Sequence, residues 1–117
     1  MKAAPFPVLV IDVAHPPRRP GDVEDELLHA LSQVRNSGSL RILKIVHGYG
    51  KSGKGGGTRE VVRNWAFQNR ARLKSIINGE EYGLYDASTQ ELRKDAGEYS
   101  DPDLGAMNPG ITIVWVK

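Results

Sequence analysis

Between His47 and Gly57 the sequence runs His-Gly-Tyr-Gly-Lys-Ser-Gly-Lys-Gly-Gly-Gly, so glycines are interleaved with two lysines and one aromatic side chain. Glycine lets backbone N–H groups approach an anion closely, and Lys51, Lys54, Arg59 and Arg63 supply positive charge beside them. Gly48 to Gly53 satisfies G-x-G-x-x-G, and Gly48 to Lys54 satisfies G-x-x-x-x-G-K, two patterns of nucleotide phosphate loops. The dinucleotide reading fails because the loop follows the second strand of the chain and a small domain has no second nucleotide-binding half. The Walker reading fails at Gly55, which stands where a magnesium-binding hydroxyl is required. What the two patterns share survives: a backbone cradle for phosphate, shaped by Gly48 and Gly50, at the start of a helix. Tyr49 is placed to stack on a base. A flexible connection with no ligand is the alternative, and the lysines beside the glycines argue against it.

Three more residues have the chemistry for proton transfer or ion binding. Asp12 interrupts the apolar run Pro7-Val-Leu-Val-Ile-Asp-Val-Ala14, where a carboxylate is costly unless it is hydrogen-bonded or holds an ion. It either takes part in catalysis or accepts N–H groups from the glycine loop and holds that loop in place. His47 is a candidate acid or base, or else a strand-end residue bonded to a carbonyl. His15, beside Pro16, reads as an exposed turn residue, and His29, on the polar flank of a helix, has no functional reading.

For Asp12 and His47 to meet, the strands that carry them must be parallel neighbours. Pro7 to Ala14 reads as a buried strand, and Gly21-Asp22 opens an amphipathic helix with Asp22 as its cap and Val23, Leu27, Ala30, Leu31 and Val34 on one stripe. Leu40 to Val46 is the second strand, and a strand, helix, strand order favours a parallel pair. A second helix runs from Thr58, its cap, to Asn69, with Val61, Val62, Trp65 and Ala66 as its apolar stripe. Arg72 to Ile77 and Ile111 to Val116 are the remaining strands. Between them lies an acidic insertion at about 79–110, with a helical turn or two around Thr89 to Ala96, longer than a normal connection and expected to be a functional flap or a mobile insertion.

The composition narrows the function further. The chain has 117 residues, enough for a single domain over 1–117, and no cysteine, so disulfides, thiolate metal sites and a thiol nucleophile are excluded. No apolar run of about 18 residues exists, so no membrane partner is expected; the run after Met1-Lys2 is broken by Pro5, Pro7 and Asp12, and a cytoplasmic location is expected. The net charge of +2 hides a division along the chain, because residues 1–77 carry 13 Lys/Arg against 6 Asp/Glu and residues 78–117 carry 3 against 8. Within 41–74 the basic residues Arg41, Lys44, Lys51, Lys54, Arg59, Arg63, Arg70, Arg72 and Lys74 are opposed by Glu60 alone, a footprint for polyanion binding or a solvated basic face.

These residues resemble the Smr (small MutS-related) domain family, whose motifs are L-D-x-H on the first strand and H-G-x-G after the second. His47-Gly48-Tyr49-Gly50 matches the second motif, and the Thr58-Arg-Glu-Val-Val-Arg-Asn-Trp65 helix and the closing Ile-Thr-Ile-Val-Trp-Val-Lys are similar to the family as well. Ile11-Asp12-Val13-Ala14 keeps the aspartate of the first motif, with Ala14 in place of its histidine and His15 one position later. The resemblance implies an α/β two-layer sandwich, a four-stranded mixed sheet with two helices in βαβαββ order, similar to the C-terminal domain of a bacterial translation initiation factor. It implies DNA or RNA as partner, and nicking endonuclease activity in which Asp12 and His47 are catalytic while Gly48, Tyr49, Gly50, Lys51, Lys54, Arg59 and Arg63 bind nucleic acid. The expected activity is structure-dependent, and weak because Ala14 stands where the motif has histidine. Magnesium is the candidate ion and no small-molecule cofactor is expected. The alternatives are a non-catalytic module for branched DNA or structured RNA, and an interaction domain whose acidic insertion docks a basic partner.

Overall fold

The computed structural model describes residues 7–48 and 57–117. Along the chain these form β1 (Val8–Asp12), α1 (Pro20–Arg35), β2 (Ile42–Val46), α2 (Gly57–Gln68), β3 (Leu73–Asn78), α3 (Ala87–Ala96) and β4 (Ile111–Val116). The strands make one mixed sheet in the order β1-β2-β4-β3, with β1 parallel to β2 and β4 antiparallel to both of its neighbours. The mixed four-stranded α/β sheet expected from the sequence is present, with α3 as a third helix.

Helix α1 buries Val23, Leu27, Ala30, Leu31 and Val34, the stripe its periodicity defines. It begins at Pro20, whose fixed φ and missing N–H suit a first helical position, so Asp22 sits inside the first turn and does not cap. Helix α2 likewise begins at Gly57 with Thr58 inside it, and buries Val62, Trp65 and Ala66. Both helices cover one face of the sheet, packing on Val13, Leu43, Ile45, Val114 and Val116.

The opposite face is covered by the acidic insertion. Tyr82, Leu92 and Tyr99 pack there against Ile42, Ile77, Ile111, Ile113 and Trp115. The segment expected as a flap or mobile insertion is therefore a packed layer of the structure. Asp86 caps α3 by accepting from Thr89 N at 2.9 Å, and Gly97 ends it with a left-handed φ of 94°. With both faces covered, all six residues of β4 are buried.

Strand β1 corrects the expectation of a buried strand. It lies at the sheet edge, the insertion covers only its beginning at Val8, and Val10 is 53% exposed.

Candidate functional site

Strands β1 and β2 pair in parallel with Asp12 opposite Val46, and Val13 N continues the ladder by donating to Val46 O at 3.0 Å. Their C-terminal ends therefore open at one edge, where open α/β sheets place ligand sites. Side chains alternate across the sheet, so Val13 faces the helices, as Leu43 and Ile45 do, and Asp12 follows Val8 toward the other face. His47 continues the Leu43, Ile45 side and bonds to Thr112, which alternates with buried Ile111 and Ile113 of the insertion face. Asp12 and His47 share an edge and point to opposite sides of the sheet.

His47 is 1% exposed, and both ring nitrogens are engaged. Nδ1 lies 2.6 Å from Gly48 O, a pure acceptor, so Nδ1 carries the proton and donates. Nε2 of the neutral ring then accepts from the Thr112 hydroxyl at 2.8 Å, while Thr112 Oγ1 accepts from Arg63 Nε at 3.1 Å. Burial is the largest influence on the ring and holds its pKa below the ordinary 6.5, with the nearby Arg63 and Arg59 cations acting in the same direction against the Gly48 bond. The backbone N–H groups of His47 and Gly48 both donate to Gly110 O, and Gly48 has φ +70°, which favours glycine. This arrangement fixes where the glycine loop leaves the sheet.

Arg63 is consumed inside the protein. Its guanidinium grips Glu80 through two bonds, of 3.2 and 2.7 Å, and also donates to Ile111 O at 3.3 Å, tying α2 to β4 and to the start of the insertion. Glu80 is held below the ordinary carboxylate range by these bonds. Arg59, one turn earlier on α2, is partly exposed and has no ion pair or hydrogen bond among the described residues. Tyr49, Gly50, Lys51 and Lys54 lie outside the described residues.

Asp12 finds its partners locally. Its Oδ1 accepts from Ala14 N at 2.8 Å and from His15 N at 3.0 Å, and its Oδ2 lies 3.0 Å from His15 Nδ1. Its slight burial opposes ionisation, but these N–H bonds and the His15 ring outweigh that and hold the carboxyl below its ordinary range. The Asp12 and His15 side chains are 42% and 72% exposed, so the carboxylate is a solvent-facing partner of His15. Sequence reasoning placed His15 as an exposed turn residue and missed this bond; the signal was the i,i+3 spacing of Asp12 and His15 just ahead of Pro16. It also missed Thr112, the single polar residue in the run Ile-Thr-Ile-Val-Trp-Val.

Among the described residues, no three His, Asp or Glu side chains gather as a metal site. No helix of the structure is long and apolar enough to cross a membrane.

No protein-family model matches this chain, and no curated protein matches it either. Among solved structures, the chain is similar to the crystal structure of the Smr domain of Thermus thermophilus MutS2, with a TM-score of 0.55 and 19% identity over 94% of this chain and 96% of that one. At that identity the likeness is one of fold, and it meets the resemblance read from His47-Gly48-Tyr49-Gly50 at that level.

Proposed function

We propose that this protein binds nucleic acid through the loop between β2 and α2, gripping backbone phosphate with low sequence specificity. The observation that carries this reading is the charge left over once the chain has folded. Lys44 and Arg63 are neutralised by the insertion, while Arg59, at the start of α2 directly after the Lys51 and Lys54 segment, has no ion pair among the described residues. The N-terminal end of that helix adds a favourable field for an anion. The Smr-like fold supports the same reading.

The experiment is equilibrium binding at low salt to single-stranded, duplex and branched DNA and to RNA. Replacing Lys51, Lys54 and Arg59 together by Ala is expected to weaken binding at least tenfold. Stability should stay within about 0.5 kcal/mol. A parent protein that binds none of the four removes the reading.

The Asp12 and His15 geometry favours a second reading, weak nicking of a phosphodiester. Asp12 orients His15 by its Nδ1, which leaves His15 Nε2, with no bond among the described residues, as the general base. The water oxygen bonds to phosphorus as its proton passes to Nε2, the P–O bond to one nucleoside breaks, and the departing oxygen is protonated by solvent. In this reading His47, expected as Asp12's catalytic partner, supports the loop. Asp12→Asn and His15→Ala are each expected to abolish nicking with binding retained, since a group acting only in the transition state changes rate and not affinity. Nicking that persists in both variants, with or without magnesium, overturns it.

A further inference from the structure

At the end of the sheet opposite the glycine loop, β2 begins and β4 ends, and the chain segments flanking them converge. Val116 N donates to Arg41 O at 2.9 Å, and Lys117 N donates to Arg72 O at 3.0 Å. These contacts bring together cations from four separate parts of the sequence. A concavity of about 180 Å³ is lined by Arg35, Arg41, Lys74 and Lys117, with no Asp or Glu in its wall. Arg35 also borders a neighbouring depression shared with Arg72 and Leu28. Arg70, at the same corner, lays its guanidinium 4.0 Å from the centre of the Phe67 ring, which is 59% exposed.

Few of the cations here are paired among the described residues. Elsewhere, Arg18, Lys44 and Arg63 each hold a carboxylate within 2.7 Å. At this pole only Lys74 approaches an acid, Asp95 at 3.8 Å, with both side chains nearly half exposed. Arg35, Arg41, Arg70, Arg72 and Lys117 have no ion pair among the described residues. Arg41 Nη1 instead donates to Leu40 O at 3.1 Å and Arg72 Nη1 to Asn69 Oδ1 at 2.6 Å, neutral acceptors that fix the heads without cancelling their charge. Like charges gathered in one hollow repel, and an anion relieves that repulsion. An exposed aromatic ring beside them offers a face on which a base can stack.

We infer that this pole is a second nucleic-acid-binding surface, in which Arg35, Arg41, Lys74 and Lys117 hold backbone phosphate and Phe67 with Arg70 receives a base. It rests on the nucleic-acid reading of the glycine loop and extends it to a second contact. Strands of five or six residues separate the two poles by about 17–20 Å. A strand must therefore span several nucleotides to touch both.

The test titrates a 15-nucleotide single-stranded DNA against the whole protein over a range of salt, for the parent, Arg35→Gln with Lys117→Gln, Phe67→Ala, and the triple Ala variant at Lys51, Lys54 and Arg59. The Arg35 and Lys117 pair is expected to lose about tenfold in affinity and to lower the salt slope by about 1.4, two phosphate contacts at roughly 0.7 each. Phe67→Ala is expected to lose affinity with the slope unchanged, a result that loss of charge cannot produce. Melting checks that each variant is folded, and Lys117→Gln alone, on an exposed residue, replaces the pair if the pair melts early. Parental affinity in the pole variants, with the loop variant weakened, overturns this inference and leaves the loop reading intact. Weakening by the pole variants alone supports it and overturns the loop reading, and a parent that does not bind ends both.

Discussion

His47 is buried and accepts from the Thr112 hydroxyl at Nε2, a bond made by the neutral ring, and that gives the protein a pH dependence of known sign. Its folded pKa lies below the ordinary 6.5, so the unfolded chain takes up the proton more readily. The stability contributed by the neutral ring is complete above the unfolded value and is lost as pH falls through about 6.5 toward the folded value. The urea midpoint of the parent is expected to drop between pH 7.5 and 5.5 by more than that of His47→Gln. Equal declines in the two would assign the pH dependence to other groups. Gly79 is the other residue with a sharp requirement, because a Cβ there would run into Asn108 O, Ile111 O and the Ile111 side chain. Two of those contacts are backbone oxygens that cannot swing away. Gly79→Ala is expected to cost about 3 kcal/mol in denaturant unfolding, the upper part of the range for overpacking. A midpoint unchanged from the parent would show that the turn between β3 and the insertion can shift.

At the scale of elements, the insertion from Gly79 to Gly110 is what permits β4 to be apolar on both faces. It is fastened over β2 by a buried polar network. Lys44 Nζ donates to Asp101 Oδ1 at 2.7 Å, the other Asp101 oxygen accepts from Tyr82 OH at 3.1 Å, and Tyr82 OH lies 2.8 Å from Tyr99 OH. Burial lowers the Lys44 pKa, but its bonds to Asp101 and Asp103 outweigh that and leave it raised, so the ammonium persists in the folded protein. Burial likewise pushes the Tyr82 hydroxyl up and keeps it protonated. Lys44→Met leaves Asp101, whose side chain is 2% exposed, without its cation. The expected loss is about 3–5 kcal/mol, as when one partner of a buried pair is removed. Adding Asp101→Asn should return part of it, because the unpaired buried charge is then gone. If the double variant is as unstable as the single one, the cost comes from lost packing of the lysine stem.

For the whole molecule, folding redistributes the charge that the sequence divides between its two parts. The insertion returns its acids to the basic part through Lys44 with Asp101 and Asp103, Arg63 with Glu80 and Lys74 with Asp95. Among the described residues, the cations without an ion pair include Arg59 at the start of α2 and the group at the far pole of the sheet. Binding to nucleic acid is expected to be electrostatic, with a slope of log affinity against log salt near −3 if about 4 phosphates of a single strand are neutralised. Affinity that does not change with salt would exclude this mode of binding.

Features set by neighbours a few residues apart were legible in the sequence. The apolar stripe of α1, the Trp65 stripe of α2, the parallel pairing of β1 with β2 and the loop between β2 and α2 all follow from periodicity and connection length, which act over one or two turns of chain. Ile-Thr-Ile-Val-Trp-Val was legible as a strand, and its burial on both faces came from the insertion packing over it. Which side chains meet was decided by the tertiary structure. Asp12 turned to His15 and away from His47 because alternation sends neighbouring positions to opposite faces, and the edge position of β1 left it exposed. Lys44 and Asp101, 57 residues apart, pair because β2 lies beneath the insertion, an adjacency that comes from sheet order and that no local pattern encodes. A sequence counts its charges, and the fold determines which of them are left for a partner.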